Sequence, residues 1–341
     1  MSRAALLTRL KAPLEIADIE PCELQYGQVR VAVTCSGICG AQLQEIAGDK
    51  EGGPLPHPLG HEGCGIVQET GPGVGHVKKG DKVVMHWRKG SGIESDFPRY
   101  NYDGRTITGG RVTTFADEVI ASENRVTAVP ADTPDEFCAL LGCGLSTAIG
   151  TIEFEAKLRF GETILIVGCG GLGINLILAA KLAQASRIVV MDIHPAKEKT
   201  ALDLGAHAYF DINDDAVLKK LGIRGFDVIA NTASAPIAIE KTLPLLGSGG
   251  RYVLIGQPRK GEAVAITNAR HFFDGDGKCL MATQGGRFEP SRDIPRYVAM
   301  QRAGLFDLEG IVSHRLSLAD INEGVGLVQA GQAGRVMISM K

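Results

Sequence analysis

The chain has 341 residues, 44% apolar and 22% charged, with a formal net charge of −3, and is long enough for two domains that each bury a core. No cluster of Lys and Arg is long enough to track phosphates, which excludes nucleic acid as an expected partner. No run approaches the roughly 18 apolar residues that span a bilayer, and "MSRAALLTRLKAPLEI" has neither an apolar core segment nor a cleavage site, so no membrane is expected and the cytoplasm is the expected compartment.

From residue 1 to about 143, short β-like runs such as "QVRVAVT" (28–34) and "DKVVMHW" (81–87) alternate with Gly and Pro turns, the pattern of a mostly-β domain. Residues 88–111, rich in Gly, Arg and Ser, read as its loopiest stretch. Strand and helix patterns then alternate. Strands are expected at "TILIVG" (163–168), "RIVVMD" (187–192), "AHAYFD" (206–211), "FDVIAN" (226–231), "RYVLIG" (251–256) and "KCLMAT" (278–283), with helices at 171–184 and 236–246 among them. Continuous apolar strands separated by helices imply a parallel sheet covered on both faces, and six are what two mononucleotide-binding halves require. Beyond 285 come two helices and a last strand, "RVMISM" (335–340). Ser317 and Asp320 have capping-box-like spacing before Ile321, Val325 and Val328 on one helix face. This tail is expected to return and complete the first domain.

"IVGCGGLG" ends a strand and opens a helix, putting Gly168, Gly170 and Gly173 in G-x-G-x-x-G spacing with Gly171 and Leu172 inside the turn. The first glycine permits the tight turn, the second lets backbone approach a pyrophosphate, and the third lets helix pack on strand. Asp192 ends the next strand 19 residues after Gly173, where a carboxylate accepts the hydroxyls of an adenosine ribose. Its charge repels a 2′-phosphate, and no arginine follows in "DIHPAKEK", so NAD is expected over NADP. Lys197 either reaches the same ribose or is a solvated helix lysine. A purely structural turn is the alternative for the whole motif.

Eight cysteines stand at irregular spacings without a C-x-x-C pair, so most are expected to be buried thiols and not disulfides. Cys39, His61 and Cys143 are distant in sequence, but each lies in a glycine-dense stretch, and thiolate and imidazole are zinc's preferred ligands. Three such ligands leave a fourth position open; the alternative is two buried thiols and a turn histidine.

Taken together, "GICGAQLQEIAG", "PHPLGHEGCGIV", "GDKVV", "LGCGLSTAIGT", "VGCGGLG" with Asp192, and "INEGVGLVQAGQAGRVMI" resemble the zinc-dependent alcohol dehydrogenases of the medium-chain dehydrogenase/reductase family. The resemblance implies one catalytic zinc on Cys39, His61 and Cys143, with Glu62 behind the metal and able to displace other ligands. It further implies that Thr147 and Leu172 border the nicotinamide, that Trp87 walls the substrate pocket, and that Arg335 reaches the pyrophosphate. The implied fold is α/β: a doubly wound parallel Rossmann sheet (144–284) inserted into a mostly-β GroES-like, chaperonin-10-like catalytic domain (1–143 and 285–341). The implied assembly is a homodimer or homotetramer.

Two departures follow. Between Cys64 and Cys138 there is no cysteine, so the family's four-cysteine structural zinc site is not expected; residues 88–111 in its place either shape a pocket for a hydrophilic substrate or form a solvated loop. The family's hydroxyl and acidic residues after the first ligand are here Ala41 and Gln42, and neither a methyl nor an amide is a good general acid or base. His61 would have an amide oxygen as its supporting acceptor instead of a carboxylate. The expected activity is hydride transfer between NAD(H) and a small-molecule alcohol or carbonyl, with a polar or polyhydroxylated substrate contributing to its own proton relay. The competing readings are a zinc-free quinone or enoyl reductase and a nucleotide-binding protein without catalysis.

Overall fold

The computed structural model describes residues 1–341 apart from Glu51, Asn268, Gly275, Asp307 and Lys341. The chain divides into two compact units, one formed by Met1–Ser146, Glu289–Leu308 and Val312–Lys341, the other by Thr147–Phe288 with Glu309–Ile311. The changes of unit thus fall a few residues beyond 143 and 284. A close backbone approach in the second unit explains the later of the two: a Cβ on Gly150 would lie 2.3 Å from the Gly286 carbonyl oxygen, so residues 285–288 stay packed on the helical segment after Thr147.

In the first unit the strand Gln28–Ile38 is the organising element. Its β-branched run suits a pleated, buried surface, and it pairs antiparallel with Glu62–Thr70, Glu118–Ser122 and Arg335–Ser339. The C-terminal tail pairs with it, Val336 opposite Ile38 and Ser339 opposite Cys35. A strand absent from the sequence reading, Val312–Ser317, lies parallel to Arg335–Ser339. Its polar sequence, "VSHRLS", carries little strand signal, and the neighbouring edge supplies the pairing.

Residues 88–111 are not a simple loop. Arg99–Tyr102 and Arg105–Thr108 form a hairpin, joined by Asp103 and Gly104 at φ 46° and 69°, the left-handed pair that an Asp-Gly two-residue turn favours. The hairpin extends a second sheet by pairing with Glu15–Pro21. Tyr100 anchors it: its ring is fully buried, and its hydroxyl donates to the Ile120 carbonyl at 3.3 Å and accepts from the Ile120 N–H at 2.9 Å. Ser317 and Asp320 also differ from expectation. The hydroxyl donates to the Asp320 carboxylate instead of capping a backbone N–H, and a short 3-10 turn, Leu318–Asp320, precedes the helix Ile321–Gln329.

The second unit is a six-stranded sheet, all parallel. From edge to edge it runs Ala208–Asp211, Arg187–Asp192, Thr163–Val167, Phe226–Asn231, Leu246–Leu254, Cys279–Ala282: third, second, first, fourth, fifth and sixth in chain order. This is the doubly wound order, whose direction reverses between the first and fourth strands. The helix Gly171–Leu182 buries every side chain from Ile174 to Ala180, as a helix packed on a sheet must. Among the described residues no single helix is long and apolar enough to cross a membrane; one bent pair, Asp135–Leu141 with Gly144–Glu155, passes by length and composition.

His86 ends the strand Lys82–His86 in full burial. Its Nδ1–H donates to the Arg88 carbonyl at 2.7 Å, and Nε2 takes the Thr127 hydroxyl at 2.9 Å. Burial pushes its pKa down to about 4 from 6.5. A histidine kept neutral by the fold contributes stability that is complete above the unfolded value and lost as pH falls from about 6.5 toward 4, in all about 3 kcal/mol. Urea unfolding at pH 7 and pH 4.5 is expected to show a smaller acid-induced loss in His86→Gln than in the native chain.

Candidate metal centre and nucleotide turn

Cys39 ends the central strand's excursion and begins the helix Gly40–Ala47 with extended backbone (φ −119°, ψ 152°). His61 immediately precedes the strand Glu62–Thr70, and Cys143 follows the helix Asp135–Leu141. Strand pairing and helix packing bring these three segments together, and one ligand atom from each residue lies within 4.8 Å of the other two. All three side chains are half-buried. Two sulfurs and an imidazole nitrogen at this spacing are the donor set of a zinc site with an open position.

The electrostatics separate these thiols from the others. The Cys143 thiol, donating to Cys39, together with His61 and the Arg335 guanidinium, holds Cys39 well below the ordinary thiol range despite its burial. Cys143 is correspondingly pushed up, chiefly by that hydrogen bond and by burial. Burial pushes Cys35 and Cys169 up to about 12, and Cys138 rises through its contact with Cys64 and burial. These are inert buried thiols.

Glu62 stands outside the ligand set. Its carboxylate is buried at 0% exposure, paired with the Arg335 guanidinium, and accepts the Gly144 N–H at 3.1 Å. Desolvation raises its pKa while Arg335 opposes the rise. Arg335 is 2% exposed, and its guanidinium is held by Glu62. Gly37 admits the pair: a Cβ there would sit 2.6 Å from Glu62 Oε1 and 2.9 Å from Arg335 Nη2.

Gln42, 2% exposed, accepts the Cys39 N–H at 3.1 Å through Oε1 and turns its Nε2 to His61 Nδ1. The expected orientation, with the amide oxygen on the imidazole, is therefore reversed. The start of the helix needs an acceptor for its free backbone donor, and the oxygen serves it. Ala41 is half-buried in the same first turn. Trp87 is half-buried, with its carbonyl on Arg125, Arg88 5.6 Å over its ring, and its Nε1 buried without a partner.

In the second unit each glycine of the turn has its own reason. Gly168 has φ +91°, and a Cβ there would meet Thr232 Oγ1 at 2.4 Å; a Cβ on Gly173 would lie 2.0 Å from the Gly168 carbonyl oxygen; a Cβ on Gly170 would meet nothing within 4 Å. The space over Gly170, at the N-terminus of the helix Gly171–Leu182, leaves backbone donors open to an anion. Gly171 and Leu172 are half-buried in the helix's first turn. Asp192, 7% exposed, accepts the Cys169 N–H at 2.6 Å and the His194 N–H at 2.9 Å, with Lys197 Nζ 3.4 Å away. Thr147 is 4% exposed and its hydroxyl is buried without a partner. Thr232, unmarked in the sequence reading, donates to the Val167 and Gly168 carbonyls at 2.9 and 3.2 Å. Its signal was its place just after the fourth strand, where the sheet order reverses.

Comparison with known proteins agrees with this arrangement. Residues 25–131 match the alcohol dehydrogenase GroES-like domain, and residues 171–300 match the zinc-binding dehydrogenase model. The chain is 28% identical to an S-(hydroxymethyl)glutathione dehydrogenase of Synechocystis sp. and 29% to one of Escherichia coli, with 99% of both chains covered in each case. Among solved structures, an alcohol dehydrogenase zinc-binding domain protein from Burkholderia ambifaria superposes with TM-score 0.88 at 25% identity, covering 100% of this chain and 99% of that one. Benzyl alcohol dehydrogenase from Acinetobacter calcoaceticus gives 0.89 at 23% with the same coverage, a likeness of fold. The two units thus carry the two halves of a zinc-binding dehydrogenase. The chain belongs to the zinc-dependent alcohol dehydrogenases of the medium-chain dehydrogenase/reductase family. Its activity is hydride transfer between NAD(H) and an alcohol or carbonyl, with Cys39, His61 and Cys143 as the candidate zinc site.

Removing one partner of a buried ion pair leaves an uncompensated charge and costs about 3–5 kcal/mol. Arg335→Met is expected to lower stability by that amount in urea unfolding, and the double change Glu62→Gln with Arg335→Met to recover most of it.

Proposed function

We propose that this chain oxidises a polar or polyhydroxylated secondary alcohol, or reduces the corresponding carbonyl, with one zinc ion on Cys39, His61 and Cys143 and NAD on the Gly168–Gly173 turn. The observation that carries the reading is the meeting of three zinc-type ligands from distant segments in a chain that also has an open, glycine-lined helix N-terminus. When bound, the metal supplies Lewis acidity toward the substrate oxygen and the nicotinamide supplies the hydride acceptor.

The chain's own residues do the rest. The backbone N–H groups opening the helix Gly171–Leu182 bind the pyrophosphate. Asp192, fixed by Cys169 and His194 N–H bonds, keeps lone pairs for the ribose hydroxyls and repels a 2′-phosphate. Thr147 brings an unpartnered hydroxyl, and Leu172 an apolar surface, to the nicotinamide; Trp87 borders the substrate. Arg335 reaches the pyrophosphate only by giving up part of its hold on Glu62. Ala41 offers no hydroxyl, so the proton leaves through water or a neighbouring hydroxyl of the substrate, which favours substrates that carry one. The curated relatives, named for a hydroxymethyl group on a polar carrier, support that class.

One zinc per chain follows from the cysteine-free stretch between Cys64 and Cys138. The alignment to those relatives runs over 371 positions, longer than this chain, so they carry segments that it lacks. A zinc-free reductase would have no use for the converging ligands. A homodimer or homotetramer in the cytoplasm completes the proposal: the sheet edge Cys279–Ala282 is largely exposed, and an open strand edge pairs readily with a second copy.

An NADH-coupled screen of alcohols, polyols and aldehydes on metal-quantified protein tests the reading; best turnover on simple unbranched alkanols would count against it. Cys143→Ser is expected to strip the zinc and abolish turnover while NADH still binds. Asp192→Ala is expected to cut the preference for NADH over NADPH by at least about tenfold, since hydrogen bonds to a charged group contribute about 1.5–3 kcal/mol.

A further inference from the structure

Gln42 is asked to satisfy two groups with one acceptor. Its Oε1 takes the Cys39 N–H at 3.1 Å, and its Nε2 meets His61 Nδ1. In this arrangement Nδ1 accepts, so the ring proton of a neutral imidazole is on Nε2. Because Nδ1 is occupied by Gln42, Nε2 is the ring nitrogen left to join the two sulfurs.

A metal on Nε2 needs that nitrogen's lone pair, which moves the ring proton to Nδ1. Nδ1–H then faces an amide NH2, donor against donor. Turning the amide gives its oxygen to Nδ1–H but puts the NH2 against the Cys39 N–H. In either orientation the single amide oxygen serves one of two donors, and with Gln42 2% exposed water has little access to serve the other. A carboxylate has an oxygen for each.

We propose, resting on the metal-centre reading above, that Gln42 is a positioning residue that couples zinc loading to loss of the Cys39 N–H bond at the start of the helix Gly40–Ala47, and so makes the zinc more exchangeable than a carboxylate would. The amide rotates as the metal enters, and the first turn of that helix gives up its cap.

Zinc affinity of the full chain, measured by competition with a chromophoric chelator, tests this with the isosteric Gln42→Glu. Outer-shell partners of metal-bound histidines are worth about 10–100-fold in affinity, and a gain of that size is expected. A gain below threefold, or a loss, overturns the inference. The native chain gives a second readout: with selective 15N-Cys labelling, the Cys39 amide is expected to show weakened hydrogen bonding on zinc addition, and a bond that survives loading also overturns it. A native chain that takes up no zinc overturns the metal-centre reading and this inference together, whereas equal zinc uptake by both chains leaves that reading standing.

Discussion

The buried pairing of Glu62 with Arg335 is the constraint from which the first unit's site is built. Neither charge has water to fall back on, so each is tolerable only beside the other. Glu62 begins one strand, Arg335 another, and both strands pair with Gln28–Ile38. The pair therefore joins the returning C-terminal tail to the His61 segment, and the Gly144 N–H joins the same carboxylate to the Cys143 segment. Gly37, two residues before Cys39, is small enough to let the pair close.

Around that pair the charges are arranged for a cation. Arg335 lies near enough to favour a thiolate at Cys39, yet its guanidinium is committed to Glu62. Burial is the chief cause that pushes Cys35 and Cys169 the other way, and for Cys138 the contact with Cys64 comes before burial. Cys39 is half-buried, and three groups, Cys143, His61 and Arg335, favour its anion.

The nucleotide turn in the second unit is governed by sterics more than by charge. Gly173 exists because the helix must pass against the Gly168 carbonyl, and Gly168 because the chain must turn back beneath Thr232. Asp192 ties the turn to the second strand through the Cys169 N–H, so the residue expected to read a ribose also holds the loop that would hold the phosphates.

Sequence alone determined the doubly wound sheet, because its strands are buried on both faces and therefore read as continuous apolar runs, and the glycine turn, because hard-sphere contacts admit no other residue at Gly168 and Gly173. It also singled out Cys39, His61 and Cys143 by residue type. Their meeting was decided only by tertiary structure, since ligand distance depends on strand register across more than a hundred residues. So were the strand Val312–Ser317, which has no pattern of its own and forms on a neighbour's edge, and the hairpin at Arg99–Thr108, whose Asp-Gly turn was legible but lay in a polar stretch. The orientation of Gln42 and the place of Arg335 belong to the same class: each is set by which buried donor or acceptor lies nearest in space, and a linear sequence does not carry that distance.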